Sequence, residues 1–210
     1  MAVSTALDAV RLGSSEVAAL YLGSDSVWTA NAPGIVLVKP TSITHSGTSA
    51  TLGANGQVTF TAVTSLSLNG VFSADFDNYV VNIRYATSNN GPNVGVRLRA
   101  SGSDASGSDY ARQYLGADST SLLVARQTSQ TIAKVLVGAS AQRSGEHFAI
   151  YGPYLAQPTA MRTDSANGYL NAYIRSAVGT HSLSTSYDGF SLIPDSGDMT
   201  GALQVYGVRS

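Results

Sequence analysis

Apolar and polar residues alternate along most of the chain after Gln57, and this period of two constrains the fold more than any other feature. In residues 78–87, large apolar side chains occupy every second position: Tyr79, Val81, Ile83 and Tyr85. Residues 94–99 repeat the pattern, with valine and leucine alternating with glycine and arginine. Such alternation is typical of a strand with one buried face. The sequence therefore predicts a β-sheet protein.

Turn-forming residues separate further segments of this kind, so that residues 57–210 are expected to contain about nine strands. Besides the two above, strands are predicted at residues 57–62, 121–126, 131–138, 147–154, 169–176, 189–193 and 203–208. Residues 88–93 are expected to form a hairpin loop, and residues 110–115 would also fit a short helix. The spacing predicts an all-β, jelly-roll-like β-sandwich.

The composition favours the same fold and narrows the range of partners. Charged residues make up 12% of the chain, against about 25% in an ordinary soluble domain. Lysine and arginine number 12 and aspartate and glutamate 13, for a net charge of −1, without a block of like charges. We therefore expect no binding to nucleic acid or to an anionic membrane. A near-neutral surface gives little protection against association, which suits a subunit of an assembly.

The chain has no cysteine, which excludes a disulfide framework, a thiolate nucleophile and a cysteine metal site. Residues 1–13 lack a basic leader followed by an apolar run, and no run of about 18 apolar residues follows. The protein is therefore expected to be made in a cytoplasm, without membrane insertion or the secretory route.

A short repeat marks the N-terminal region. The segment LGSSEV at residues 12–17 recurs as LGSDSV at residues 22–27, and each copy predicts strand, turn and strand. The apolar residues of this region are Leu12, Val17, Leu20, Tyr21, Leu22, Val27 and Trp28. They are too many for such a short segment to bury alone. We expect a short N-terminal β-ribbon that docks on a neighbouring subunit, and packing against the following domain is the alternative.

Three regions are predicted along the chain. Residues 1–34 form the attachment ribbon with its two repeats, ending at the turn-rich residues 31–34. Residues 35–56 form a connector with one short strand at residues 35–38, followed by loose extended chain that is rich in Ser, Thr and Gly. Residues 57–210 form the β-sandwich domain.

The residues that usually carry catalysis are scattered. His45, His147 and His181 lie far apart, without the spacing of metal ligands, and no Gly-x-Ser-x-Gly nucleophile motif occurs. His147 is expected to be a satisfied polar group at the start of a buried strand. We predict no catalytic residues, no metal site and no cofactor.

Asp75 and Asp77 are the closest approach to a carboxylate pair. Glycoside hydrolysis needs two carboxylates across the scissile bond, and calcium prefers carboxylate oxygens. With Asn78 following, the two aspartates fit an Asx-type turn before a strand better than either role.

The eleven tyrosines include an alternating set, Tyr110, Arg112 and Tyr114. Rigid aromatic side chains beside polar groups suit both protein interfaces and sugar binding. Three interpretations stay open: packing against an adjacent subunit or over the sheet, surface contact with a glycan, and core packing.

Several segments occur in an order that resembles a known family. They are SLSLNGVF at residues 65–72 with FDNY at residues 76–79, LRASGSD at residues 98–104, SYDGF at residues 186–190 and the close at residues 201–209. Together with Tyr21-Leu22-Gly23 and Val27-Trp28, they resemble β-sandwich domains of minor tail and tail-fibre-like proteins of tailed bacteriophages, especially those of actinobacteria. The resemblance covers roughly residues 10–30 and 57–210.

The resemblance implies a structural subunit of the virion that is assembled in the host cytoplasm, is often a homotrimer and contributes to attachment or host-surface contact. It also implies that the ribbon binds other virion proteins. A collagen-like or helical stalk is absent from the sequence, which keeps open a capsid head fibre or decoration protein. The alternatives of another class are a carbohydrate-binding module and a cell-wall polysaccharide depolymerase.

Overall fold

A computed structural model of the chain describes residues 10–12, 15–17, 19–22, 25–29, 34–118, 120–140, 144–167 and 173–209, with residues 10–29 and 118 described by their backbone pairing. These residues form β-strands and no helix. The strands are β1 (Val10–Leu12), β2 (Ser15–Val17), β3 (Ala19–Leu22), β4 (Asp25–Thr29), β5 (Gly34–Val38), β6 (Ser42–Leu52), β7 (Val58–Asn69), β8 (Asn78–Thr87), β9 (Asn93–Ala100), β10 (Ser103–Asp104), β11 (Tyr110–Asp118), β12 (Ser121–Gln130), β13 (Ala133–Val137), β14 (Ser144–Tyr151), β15 (Thr159–Asn167), β16 (Tyr173–His181), β17 (Gly189–Pro194) and β18 (Met199–Arg209). A search of the described residues for a membrane-spanning helix found none.

The N-terminal repeat forms two antiparallel strand pairs. Strand β1 pairs with β2, and β3 pairs with β4. Each copy of the repeat supplies the inner ends of one pair, Leu12 opposite Ser15 and Leu22 opposite Asp25. The predicted β-ribbon is confirmed. The predicted docking residues lie on these strands: Leu12 on β1, Val17 on β2, Leu20, Tyr21 and Leu22 on β3, and Val27 and Trp28 on β4. Their docking role stays a prediction.

The remaining strands form one antiparallel sheet that curls into two facing layers. The long sheet has the order β18-β8-β14-β15-β16-β11-β12. The short sheet has the order β6-β7-β17-β9, with β13 and β10 on the far side of β9. Strand β7 belongs to both layers, because residues 58–63 pair with β18 and residues 66–68 pair with β17. The predicted jelly-roll-like sandwich is confirmed.

A kink in β6 and β7 lets the chain pass from one layer to the other. The pairing of the two strands shifts by one residue between Ser46 and Gly47. Gly47 has a φ of +109°, and a Cβ atom there would lie 2.2 Å from the carbonyl oxygen of Ala62. Ala62 is itself left-handed, with a φ of 46°, and its N–H donates to Thr200 Oγ1 at 2.9 Å. Only glycine fits this approach of two backbones.

The core lies between the two layers, where the inward faces of their strands meet. The four alternating apolar residues of β8 are all buried, as predicted: Tyr79, Val81, Ile83 and Tyr85. Phe190 on β17 contacts Phe148 on β14 across the interior with ring centroids 5.8 Å apart, and the Phe72 ring stacks on Phe190 with a centroid distance of 5.9 Å. Interdigitated aromatic rings of this kind hold the two sheets together.

Polar side chains of the long sheet close the free edge of β13. Strand β13 pairs with β9 along one side only. Toward the long sheet, its carbonyl oxygens accept bonds from three buried side chains: Arg112 donates to Lys134 O at 2.7 Å, Thr163 to Val135 O at 2.9 Å and Arg175 to Leu136 O at 2.9 Å. Glu146 accepts the N–H of Val137 at 2.9 Å. The buried backbone groups on this side of β13 are thereby hydrogen-bonded without a second neighbouring strand.

Three sequence predictions about local structure are wrong. Residues 42–56, expected as loose extended chain, contain β6, which pairs with β7 along its length. Residues 88–93 do not close a hairpin: β8 pairs with β14 and β18, whereas β9 pairs with β10, β13 and β17, so this loop crosses between the sheets. His147 does not begin a buried strand but lies inside β14 with an exposed side chain that contacts Asn82 Oδ1 at 2.9 Å.

The boundaries of the other predicted strands moved by a few residues. The segment 110–115, which would also have fitted a helix, belongs to β11. The strand predicted at residues 169–176 is observed as β16, and residues 168–172 lie outside the described part of the chain. The described part of residues 57–210 contains twelve strands, β7 to β18, where about nine were expected; β10, β11 and β15 were not predicted as strands. The short strand predicted at residues 35–38 is observed as β5, which pairs with β18.

Candidate docking surface

Large apolar side chains are exposed together on the outer face of β16, β11 and β12. The pairing of these strands aligns Ile174, Ala117 and Leu122 in one row across the sheet. The next row consists of Ser176, Leu115 and Val124, and the third of Val178, Gln113 and Arg126. The exposed fractions are 78% for Leu122, 74% for Val124, 61% for Ile174, 56% for Leu115 and 46% for Val178. We refer to these five side chains as the apolar face.

The apolar face follows from sequence patterns that reverse the usual arrangement. In β11 the outward positions include Leu115 and Ala117, whereas Arg112 points inward and is 8% exposed. In β12, three consecutive apolar residues, Leu122, Leu123 and Val124, place apolar groups on both faces. An exposed group of this size on a monomer marks an interaction surface more often than chance exposure does.

Two shallow depressions follow the rows of the apolar face. The first has a volume of about 490 Å³ and is lined mainly by Leu115, Ala117, Leu122 and Ile174, with Asp164 at its margin. The second has a volume of about 590 Å³, and its lining includes Leu115, Val124 and Val178. Both are open to solvent and offer mostly carbon atoms. They suit apolar side chains of a protein partner better than a polar substrate.

The apolar face reaches the edge of the sheet. Within the described part of the chain, β12 pairs with β11 and with no other strand. Its backbone N–H and C=O groups on the far side therefore have no strand partner. The same strand thus presents exposed apolar side chains and an open backbone edge.

Buried arginines support the underside of this surface. The Arg112 Nε–H donates to Gln127 Oε1 on β12 at 2.9 Å, and Arg112 and Arg175 both donate to Asn93 Oδ1, at 3.2 and 3.0 Å. The Tyr114 ring faces both guanidinium groups, at 5.4 Å from Arg112 and 4.9 Å from Arg175. Burial and the charge of Arg175 lower the pKa of the Arg112 side chain. These contacts fix β11 and β12 on the sandwich.

The structure places the alternating Tyr110, Arg112 and Tyr114 on the inward face of β11. Tyr110 is 1% exposed, and its hydroxyl accepts the Leu98 N–H and donates to Ala105 O, both at 2.9 Å. Surface contact with a glycan is therefore the wrong interpretation for Tyr110 and Arg112, because both side chains face inward and are only 1% and 8% exposed. Core packing holds for both. Tyr114 is half-buried between the two arginines.

The other sequence candidates do not meet at one place. Asp75 forms a local turn, in which its carboxylate accepts the Ser73 hydroxyl at 3.1 Å. His181 is buried between the rings of Tyr110 and Tyr187, with centroid distances of 4.4 and 5.3 Å. His45 lies on β6. In the described ranges, no group of three or more histidine, aspartate or glutamate side chains is arranged to hold a metal ion.

The apolar face itself was missed from the sequence. The signal was the run of four apolar residues at 122–125, which breaks the alternation expected for a strand with one solvated face. The row partners on β16 and β11 could not be read in the same way, because their alignment depends on the pairing of strands more than 50 residues apart, such as Ile174 with Ala117.

Comparisons with known proteins give distant likenesses. No family model and no curated protein matches the sequence. Among solved structures, the chain is similar to the CBM2 module of the evolved Dit of Lactobacillus casei BL23 phage J-1, with 13% identity and a TM-score of 0.40 over 85% of this chain and 98% of that one. It is also similar to the Podospora anserina GH26-CBM35 β-(1,4)-mannanase, with 12% identity and a TM-score of 0.18 over 79% of this chain and 28% of that one.

Proposed function

We propose that this chain is a non-enzymatic structural subunit of a bacteriophage virion, a minor tail or tail-fibre-like protein that contributes to attachment or host-surface contact. The observation that carries the proposal is the apolar face. Five large apolar side chains, each 46% exposed or more, lie side by side on one sheet and end at an open strand edge.

The apolar face favours a subunit that functions inside an assembly. Apolar surface removed from water contributes about 25 cal/mol per Å², so a partner that covers these side chains gains free energy. The low content of charged residues acts in the same direction, because charge is the usual protection of exposed sheet edges. A subunit that is permanently covered needs no such protection.

The lining of the depressions favours a binding role over hydrolysis. Asp164 is the one carboxylate that lines the first depression, whose other residues are mainly aliphatic. Hydrolysis of a glycosidic bond uses two carboxyl groups placed across the bond. The surface therefore offers a docking area but not the acid–base pair of a depolymerase.

In this proposal, the location of the chain and its binding partners come from the sequence resemblance. It implies a location in the virion, contact of the N-terminal β-ribbon with other virion proteins, and three copies of the chain. The ribbon then anchors the chain, and the apolar face packs the sandwich against a neighbouring subunit.

The proposal is tested by locating the chain in purified virions of the phage that encodes it. We expect its peptides among the virion proteins by mass spectrometry and antibody–gold label on the tail. Label on the head would keep a virion subunit but assign it to a head fibre or decoration protein. A chain absent from virions that binds glycan as a free protein would replace the proposal with a carbohydrate-binding module. Release of reducing sugar from host wall material would contradict the non-enzymatic role.

A further inference from the structure

Strand β12 has the properties of an edge that is completed by another strand. Natural sheets protect an open edge with charges, prolines or bulges. Residues 121–130 contain one charged residue, Arg126, and no proline. The pairing with β11 is regular from Gln127 to Ser121, so no bulge bends this part of the strand away. The register shifts only beyond Gln127, where Ser129 has a φ of 55°. Between Ser121 and Gln127 the edge is therefore regular, carries one charge and is bordered by exposed Leu122 and Val124.

We propose that β12 pairs antiparallel with β12 of a second copy of this chain, about a twofold axis at Val124. The inference deepens the proposed function, because it names the partner of the open edge that borders the apolar face. A twofold contact uses the same surface on both chains and must therefore be self-complementary. Strand β12 meets this requirement, since two copies placed edge to edge join their apolar faces into one continuous surface.

Charge and strand length place the axis at Val124. An axis at Arg126 would bring two like charges opposite each other, which destabilises a strand pair. An axis at Leu122 would leave most of the strand unpaired, because β12 begins at Ser121. At Val124, the two valines lie opposite each other and Leu122 lies opposite Arg126 of the second copy. The apolar stem of that arginine covers the leucine while its guanidinium group stays in water.

The size of the contact sets its expected strength. Edge pairing with part of one sheet face buries less than the roughly 800 Å² per partner of a standard interface. We therefore expect association of the isolated protein in the micromolar range, strengthened in the particle by the ribbon. A twofold pair also requires an even number of chains: two, or six where the pairing joins two of the trimers that the resemblance implies.

The absence of cysteine from the chain allows a direct test by cross-linking. Val124→Cys introduces the only thiol, and 74% exposure of the valine makes the substitution compatible with folding. Opposite residues of an antiparallel pair have Cα atoms roughly 5 Å apart, within the range of about 4.4–6.8 Å that a disulfide spans. We expect mild oxidation of the full chain at micromolar concentration to give a covalent dimer on a non-reducing gel.

Thr128→Cys is the matched control, because Thr128 is exposed on the same strand, one residue beyond its regularly paired part. With the axis at Val124, the two Thr128 positions are separated by eight residues along the pair, roughly 27 Å. We expect at least a tenfold lower yield of covalent dimer for this variant. Melting followed by circular dichroism verifies that both variants fold.

The outcomes separate the pairing from the proposed function. Equal yields at positions 124 and 128 would indicate random collision and overturn the pairing. No dimer at position 124, or an odd number of chains by native mass spectrometry, would also overturn it. In either case, detection of the chain in virions would leave the structural role intact and assign the apolar face to another virion protein. A specific dimer of a chain that is absent from virions would instead remove the proposed function and keep the pair.

Discussion

Strands β6 and β12 show opposite treatments of an open sheet edge. Strand β6 pairs only with β7 in the described structure, yet its exposed positions are polar or small, and the register shift at Gly47 bends it. Strand β12 pairs only with β11 in the described residues, is regularly paired from Ser121 to Gln127 and exposes Leu122 and Val124 there. This protein therefore protects the edge of β6 against pairing and leaves the edge of β12 available.

The inner edge of β13 provides a third arrangement. It is buried, so water cannot satisfy its backbone, and side chains of Arg112, Thr163 and Arg175 bind its carbonyl oxygens instead. An edge in this fold is thus kinked, capped by side chains or left open. Strand β5 pairs only with β18 in the described residues and also exposes apolar side chains, Ile35 at 67% and Leu37 at 39%. At β12 the exposed apolar side chains continue across β11 and β16 as the apolar face, which is why we assign the interface to β12.

The largest expected effect comes from breaking the protected edge. Gly47→Ala places a Cβ atom 2.2 Å from the Ala62 carbonyl oxygen and puts alanine at a φ of +109°. Strain and displacement of β6 from β7 should lower the free energy of unfolding by about 3 kcal/mol or more, measured by urea denaturation.

Gly102→Ala is the control for Gly47→Ala. Gly102 also has a positive φ, of +79°, but nothing lies within 4 Å of the added Cβ atom. We expect a loss of only about 1 kcal/mol there, from the left-handed backbone alone. Equal losses in the free energy of unfolding for the two variants would show that the close approach of β6 and β7 at Gly47 does not protect the edge of β6.

A second prediction concerns the capped edge and pH. Burial raises the pKa of Glu146 from 4.5 to about 7, although bonds from Tyr85, Ser165 and the Val137 N–H oppose the shift. The folded protein therefore holds this proton more tightly than the unfolded chain. The associated stability is fully present below pH 4.5 and is lost as the pH rises through about 7, by about 3 kcal/mol at most.

Glu146→Gln removes the titrating group at nearly constant shape. We expect the free energy of unfolding of this variant to depend less on pH between 5 and 8 than that of the native protein. Asp164→Asn is the control, because this carboxylate lies exposed on the neighbouring strand β15. An unchanged pH dependence after Glu146→Gln would mean that another group causes it.

The sequence predicted those parts of the fold that depend on local pattern. Alternation placed Tyr79, Val81, Ile83 and Tyr85 on the buried face of β8, and the repeat predicted the ribbon pairs. The loop at residues 88–93 has the composition of a hairpin turn, but its path is decided by distant bonds, such as Gly91 N–H to Gly138 O at 3.2 Å and Ser88 N–H to Asp198 O at 3.0 Å. Such contacts leave no trace in a local pattern.

The docking surface was less predictable, for a related reason. The spacing of Tyr110, Arg112 and Tyr114 correctly indicates a shared face, but an arginine on a strand ordinarily faces water. Here Arg112 faces inward, because the open carbonyl groups of β13 and the amide oxygen of Asn93 provide acceptors. Arg112 of β11 is therefore inside and Leu115 is outside. That reversal depends on the position of β13, which is fixed only in the folded protein.

The smallest expected effect is a change in melting temperature caused by pairing at the open edge of β12. If β12 pairs with a second copy, the folded state is stabilised by mass action, and the melting temperature rises with protein concentration. For micromolar association, a tenfold increase in concentration should add about 1 kcal/mol to the stability of the folded state, or a few degrees for a domain of this size.

Val124→Lys places a charge at the proposed axis, where two copies repel each other, so its melting temperature should not depend on concentration. Thr51→Lys, on the exposed side of β6, should behave like the native protein in differential scanning calorimetry. A native melting temperature that is independent of concentration from 1 to 100 µM, which are about the limits of a micromolar association, would show that β12 stays unpaired in the isolated chain.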